Sequence, residues 1–143
     1  MAITRKASAV WRGGLKDGNG EVSTSTGVLN NTPYNFNMRF ADEPGTNPEE
    51  LIAAAHAACF AMALSGQLDN ADLKAESLSV TAKVKMEKTD DGMTVTESNL
   101  ELVARIPGAS EDAFNTAAAN AKAGCPISRL LNCEINLESR LES

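Results

Sequence analysis

The chain has 143 residues, 43% of them apolar, which suffices for one hydrophobic core and is too little for two comfortable domains. A net charge of −6, with 13 basic residues scattered rather than gathered in a stripe, argues against nucleic acid and against anionic membranes as partners. Arg5 and Lys6 are followed by no stretch apolar enough for a signal peptide, and the longest apolar run, residues 51–64, is shorter than a bilayer span. These features predict a cytosolic chain, where three cysteines point to transient, chemical pairing rather than a structural bridge.

The N-terminal third reads as strands and turns, broken at Gly13-Gly14 and again over residues 17–20. Tyr34, Phe36, Met38 and Phe40 alternate with Asn35, Asn37 and Arg39, which predicts a half-buried strand with Arg39 off its apolar face. Asn47 is then a good helix cap, Pro48 suits the first helical position, and Glu49 and Glu50 complement the dipole. The helix is expected to reach about Ser65 and stop at Gly66. Its composition, from Leu51 through Ala53, Ala54, Ala55, Ala58, Phe60, Met62 and Leu64, leaves no polar face, the pattern of a helix buried all round. A chain this small has trouble surrounding such a helix alone, so a homodimer burying part of it is expected.

Leu78, Val80, Ala82, Val84 and Met86 alternate with polar residues as a strand with one wet face, and Asp90-Asp91-Gly92 supplies a turn. The returning strand has Met93 and Val95 on odd positions but Leu100, Leu102, Ala104 and Ile106 on even ones. A bulge between Thr96 and Asn99 reconciles them. Ser110 caps a helix that stops at Gly124, Pro126 opens a shorter helix, and Cys133, Ile135 and Leu137 share the apolar face of a last strand. The order of elements gives an α+β fold, with helices segregated from antiparallel strands in a single domain over residues 1–143.

Each cysteine has an inert reading. Cys133 reads as core, on the apolar face of its strand. Cys125 lies just before Pro126, where helix N–H groups would stabilise a thiolate, so by local physics it is the better nucleophile. Burial would push the Cys59 thiol up, and only a cation brought against it would make it reactive.

The segments Gly45-Thr46-Asn47-Pro48-Glu49-Glu50-Leu51, Ala54-Ala55-His56-Ala57-Ala58-Cys59-Phe60 and Ala121-Lys122-Ala123-Gly124-Cys125-Pro126-Ile127-Ser128 resemble the two cysteine motifs of the osmotically inducible protein C and organic hydroperoxide resistance (OsmC/Ohr) family. The similarity runs over essentially the whole chain. Pro33-Tyr34, Phe36-Asn37-Met38-Arg39-Phe40 and His56 favour the osmotically inducible branch. The resemblance implies an OsmC-like fold, with antiparallel strands around a long buried central helix in an intertwined homodimer. It also implies a thiol peroxidase that reduces organic hydroperoxides, and hydrogen peroxide, without metal, haem or flavin. Cys59 maps onto the peroxidatic cysteine, Cys125 onto the resolving cysteine, and Arg39 and Glu49 onto the arginine and glutamate of the site.

On that mapping Arg39 supplies the missing cation, Glu49 holds its fork by a two-point pair, and apolar walls from Leu51, Phe60, Met62, Phe36 and Met38 favour a hydrocarbon tail. A Cys59 sulfenic acid would be resolved as a Cys59–Cys125 disulfide and reduced by an external dithiol, of the lipoyl type by the family's example. Glu49 and Cys59 are ten residues apart, roughly 15 Å along one helix, too far for a single arginine to lie between both. A partner subunit contributing part of each site is therefore expected.

His56, three residues before Cys59, reads either as a base near the thiol or as a satisfied interior histidine. A zinc site from His56, Cys59 and Cys125 lacks the usual fourth ligand. Two further functions fit the residues: a non-catalytic module that binds a small lipophilic ligand, and a stress-induced interaction protein.

Overall fold

Three strands built from small and β-branched residues open the computed structural model, which describes residues 1–142. Strands β1 (Ala7–Arg12), β2 (Asn19–Thr24) and β3 (Thr32–Tyr34) form an antiparallel sheet in that order. Trp11, Gly20 and Tyr34 lie side by side across it. A Cβ on Gly20 would come within 2.6 Å of the Trp11 ring and 2.8 Å of the Tyr34 ring, so glycine there is what lets the two rings pair at 5.4 Å. The chain divides after Leu51 into two compact units.

The strand expected over residues 34–40 ends at Tyr34, and a single-turn helix, α1 (Phe36–Phe40), follows it. Asn35 decides the outcome: its side-chain oxygen accepts from the Met38 N–H at 2.9 Å, an N-cap that starts a helix. The alternation was ambiguous because Phe36 and Phe40 are four apart as well as on one strand face. Their rings pair at 4.9 Å across the helical turn.

Helix α2 (Pro48–Asn70) starts as its residues direct, with Asn47 accepting the Glu50 N–H at 2.8 Å through its side chain. It does not stop at Gly66. Leu64 and Leu68, one turn apart on either side of that glycine, are both buried, and their packing outweighs the roughly 1 kcal/mol that a helical glycine costs. The helix ends instead in a Schellman turn. Asp72 takes a positive φ of 58°, and the N–H groups of Asp72 and Leu73 reach back to the carbonyls of Asp69 and Leu68. At 23 residues α2 exceeds the apolar run seen in the sequence and is long and apolar enough, by composition, to cross a membrane. A His56, Phe60, Leu64 and Leu68 stripe, however, is buried in the core of this unit.

That stripe corrects the expectation of a helix buried on every side. The opposite face is open in the single chain, with Ala54, Ala55 and Ala58 exposed and Met62 79% exposed.

Strands β4 (Ser77–Thr89) and β5 (Gly92–Arg105) form a long antiparallel hairpin closed by Asp90 and Asp91. Lys85 pairs with Glu97 and Met86 with Val95, leaving Thr96 as the extra residue of a bulge that moves the inward positions from odd to even. Ser98, Leu100, Leu102 and Ala104 consequently face the core.

Helix α3 (Glu111–Gly124) is capped by the Ser110 hydroxyl, which accepts from the Ala113 N–H at 3.1 Å, and buries Phe114, Ala117, Ala118 and Ala121. Helix α4 (Pro126–Leu130) follows, and β6 (Glu134–Glu142) returns to pair with β5. That pairing is parallel, unlike the all-antiparallel arrangement expected, because the intervening helices form the crossover that parallel neighbours require. Cys133 lies one residue ahead of β6 and is half-buried, outside the buried cluster, because the sheet that would cover it begins only at the next residue.

Candidate active site

The geometry of α2 and α4 brings two thiols together. Cys59 lies on α2 one residue from the buried Phe60 and is itself half-buried. Cys125, fully buried, is the N-cap of α4, and its sulfur accepts from the Ser128 N–H at 3.5 Å. The two sulfurs are 2.9 Å apart, separated by 66 positions in the chain. Both are free thiols.

Their environments push the thiols in opposite directions. Burial raises Cys59 and its hydrogen bond with Cys125 raises it further, which outweighs the backbone N–H of Ile127. Burial also raises Cys125, but its contact with Cys59 and the Ser128 N–H that it accepts outweigh that, and the net direction is down.

His56, one turn before Cys59, is 0% exposed and fully satisfied. Its Nδ1 meets the Ser98 hydroxyl at 2.6 Å and its Nε2 the Ser128 hydroxyl at 2.8 Å. Burial holds it below its ordinary pKa. With both ring nitrogens taken by serine, none is left for zinc. Sequence reasoning singled out His56 but not the two serines. Their signals were the even-position face of β5 for Ser98 and the third residue after the Cys125 cap for Ser128.

Arg39 and Glu49 belong to the other unit, where they form a two-point pair. Nε donates to Oε1 at 2.9 Å and Nη2 to Oε2 at 3.0 Å. Arg39 comes from the last turn of α1 and Glu49 from the first turn of α2, where a carboxylate complements the helix dipole. The hydrogen bond to Glu49 outweighs partial burial and keeps Arg39 more firmly protonated than usual. The Arg39 guanidinium also lies 5.1 Å from the centroid of the Phe40 ring. Beside it is a hollow of about 220 Å³ bounded by Trp11, Leu15, Tyr34, Asn35, Phe36 and Phe40. Of the apolar walls expected, Phe36 lines this hollow, whereas Phe60 is wholly buried among Leu64, Leu100 and Phe114 and lines no open surface.

Residues 41–140 match the family described as OsmC-like protein. Peroxiredoxin OsmC of Escherichia coli (strain K12) is 48% identical over 143 residues, covering all of both chains, and that of Shigella flexneri matches equally. Among solved structures, an organic hydroperoxide resistance protein from Elizabethkingia anophelis superposes with a TM-score of 0.71 at 29% identity, covering 100% of this chain and 99% of that one. One from Legionella pneumophila does so with a TM-score of 0.68 at 25% identity over all of both chains. Two adjoining thiols on this α+β frame, in a chain so similar to a peroxiredoxin from end to end, make this a cysteine-based peroxidase. The chain belongs to the OsmC-like family, in its OsmC branch.

Proposed function

We propose that this peroxidase reduces organic hydroperoxides, and hydrogen peroxide, with Cys59 as the peroxidatic and Cys125 as the resolving sulfur. The observation that carries this reading is the 2.9 Å approach of the two sulfurs. The Cys59 thiolate attacks the distal peroxide oxygen, the O–O bond breaks, and an alkoxide leaves and is protonated to the alcohol. Cys125 then displaces hydroxide from the Cys59 sulfenic acid to give a disulfide. An external dithiol, of the lipoyl type, restores both thiols by exchange.

Arg39 is the cation this scheme needs. Burial pushes the Cys59 thiol up, so a guanidinium is needed to hold its thiolate and receive the developing alkoxide. Glu49 fixes the aim of that fork. The aromatic hollow beside Arg39 would take the hydrocarbon tail of an organic peroxide.

We further propose a homodimer in which the second copy covers the open Ala54, Ala58 and Met62 face of α2, with each site combining Arg39 and Glu49 of one subunit with the thiols of the other. The two compact units would then act as one OsmC-like domain over residues 1–143, working in the cytosol.

Rapid mixing of the reduced protein with an alkyl hydroperoxide, followed by intact mass and thiol counting, tests the scheme. Loss of two hydrogens and two thiols per chain is expected. A protein that merely binds lipophilic molecules would keep its thiols, and its binding would survive alkylation of both cysteines.

A further inference from the structure

The scheme above uses neither His56 nor the two serines bonded to it, yet among the described residues these are the buried polar side chains: His56 and Ser98 are 0% exposed and Ser128 is 8% exposed. Polar groups placed this deep cost stability unless bonded, and both ring nitrogens are bonded, Nδ1 with the Ser98 hydroxyl at 2.6 Å and Nε2 with the Ser128 hydroxyl at 2.8 Å. A hydroxyl can donate or accept, so either neutral tautomer of the ring makes both bonds. His56 is therefore a spacer held at both ends. It joins three elements: α2, which carries it, β5 through Ser98, and α4 through Ser128.

The sequence spacing puts this spacer in register with the thiols. His56 precedes Cys59 by three positions on α2, and Ser128 follows Cys125 by three. The His56–Ser128 bond and the Cys59–Cys125 contact are consequently neighbouring rungs, about 4.5 Å apart along the helix. Ser128 also touches the sulfur, because its backbone N–H donates to Cys125 Sγ at 3.5 Å. A helix of five residues is too short to hold its own place. Ile127 packs on the core, but apolar contact is non-directional, and Arg129 and Leu130 are exposed. The directional tie between α4 and α2 is the bond from Ser128 to His56.

We propose that His56, locked between Ser98 and Ser128, is a positioning residue that holds the Cys125 sulfur against Cys59 for the resolving step. The inference rests on the two-cysteine reading. In resolution the Cys125 sulfur forms the S–S bond as the S–O bond of the Cys59 sulfenic acid breaks, and the gap closes from 2.9 Å to about 2.05 Å. The departing hydroxide takes the proton that the Cys125 thiol gives up and leaves as water. Cys125 is oxidised, the Cys59 sulfur is reduced to the disulfide level, and no further reactant is needed. A resolving sulfur fixed at contact reacts at high effective concentration, ahead of a second peroxide that would carry Cys59 to the sulfinic acid.

Two measurements on the full chain test the clamp. Equilibration in glutathione buffers, with peptide mapping of the Cys59–Cys125 pair, reads the effective concentration of one thiol at the other and needs no peroxide. Ser128→Ala should lower it about tenfold, Ser98→Ala, which frees the other ring nitrogen, about threefold, and Ser128→Thr, which keeps the hydroxyl, should recover most of the loss. Rapid mixing with an alkyl hydroperoxide should show Ser128→Ala forming the disulfide about tenfold more slowly, with sulfenic acid formation within twofold of the parent and more sulfinic acid per turnover. Should Ser128→Ala fail to fold, Ser98→Ala carries the same test with Ser128 in place. An effective concentration and a resolution rate within twofold of the parent, even in a variant that melts earlier, would overturn the clamp and leave His56 a purely structural residue. A lowered effective concentration in Ser128→Ala, when the parent consumes peroxide without forming the disulfide, would uphold the clamp and refute the two-cysteine reading instead.

Discussion

At the scale of single residues, the unequal tasks proposed for the two adjoining sulfurs should be separable by substitution. Cys59→Ser should abolish turnover, whereas Cys125→Ser should permit one oxidation per chain followed by irreversible over-oxidation of Cys59, read by intact mass after each peroxide addition. Arg39→Ala should raise the Cys59 thiol pKa and slow the first step at least tenfold, and Arg39→Lys should recover only part of the rate, because an ammonium cannot keep both bonds to Glu49. A Cys59 that reacts equally fast in Arg39→Ala would refute the assigned role.

His56 carries a stability signature of its own. Its folded pKa lies below the ordinary 6.5, so between those values the unfolded chain binds more protons than the folded one. Stability should therefore be full above pH 6.5 and fall as the pH drops toward the folded value, and His56→Gln should flatten that dependence in urea titrations.

Several of these residues are legible in the sequence. The Cys125 cap was visible in the Cys-Pro step, and the inward face of β5 followed from its even-numbered leucines. The serines were hidden because a small hydroxyl looks alike on a surface and in a core, and only the register of a distant strand tells which it is.

Among the elements, the segment 36–40 shows where reading by period fails. Five residues cannot separate a spacing of two from a spacing of four, and a single Asn35 side chain settled the matter. The consequence reaches the site, since Arg39 occupies the last turn of a helix rather than the wet face of a strand. Gly66 is the converse error, a stop signal overruled by the leucines around it. A Cβ at Gly66 would meet nothing within 4 Å, so Gly66→Ala should stabilise the fold by about 1 kcal/mol, measured by chemical denaturation. Ser110→Ala removes the acceptor at the start of α3 and should cost about 1 kcal/mol in the same assay.

At the scale of the whole molecule, the unanswered face of α2 sets the expectations. If a second copy covers it, dilution to monomer should abolish peroxide turnover together with the dimer, followed by light scattering and activity at matched concentrations. A fully active monomer would refute the shared site. The sequence registered the helix as too apolar for so small a chain, but not that its own core uses just one stripe. Nor did the alternation within β6 tell its direction, which depends on a crossover rather than on any local pattern.

The 66 positions between the thiols also order events during synthesis. At roughly 5–20 residues per second, the first sulfur leaves the ribosome on the order of several seconds before its companion. Throughout that interval α4 and β6 do not yet exist, and Cys59 has no second sulfur beside it. On the roles proposed for the two sulfurs, a chain made during an oxidant burst would meet it before Cys59 has its reactive setting, which is completed only once Cys125 has been added.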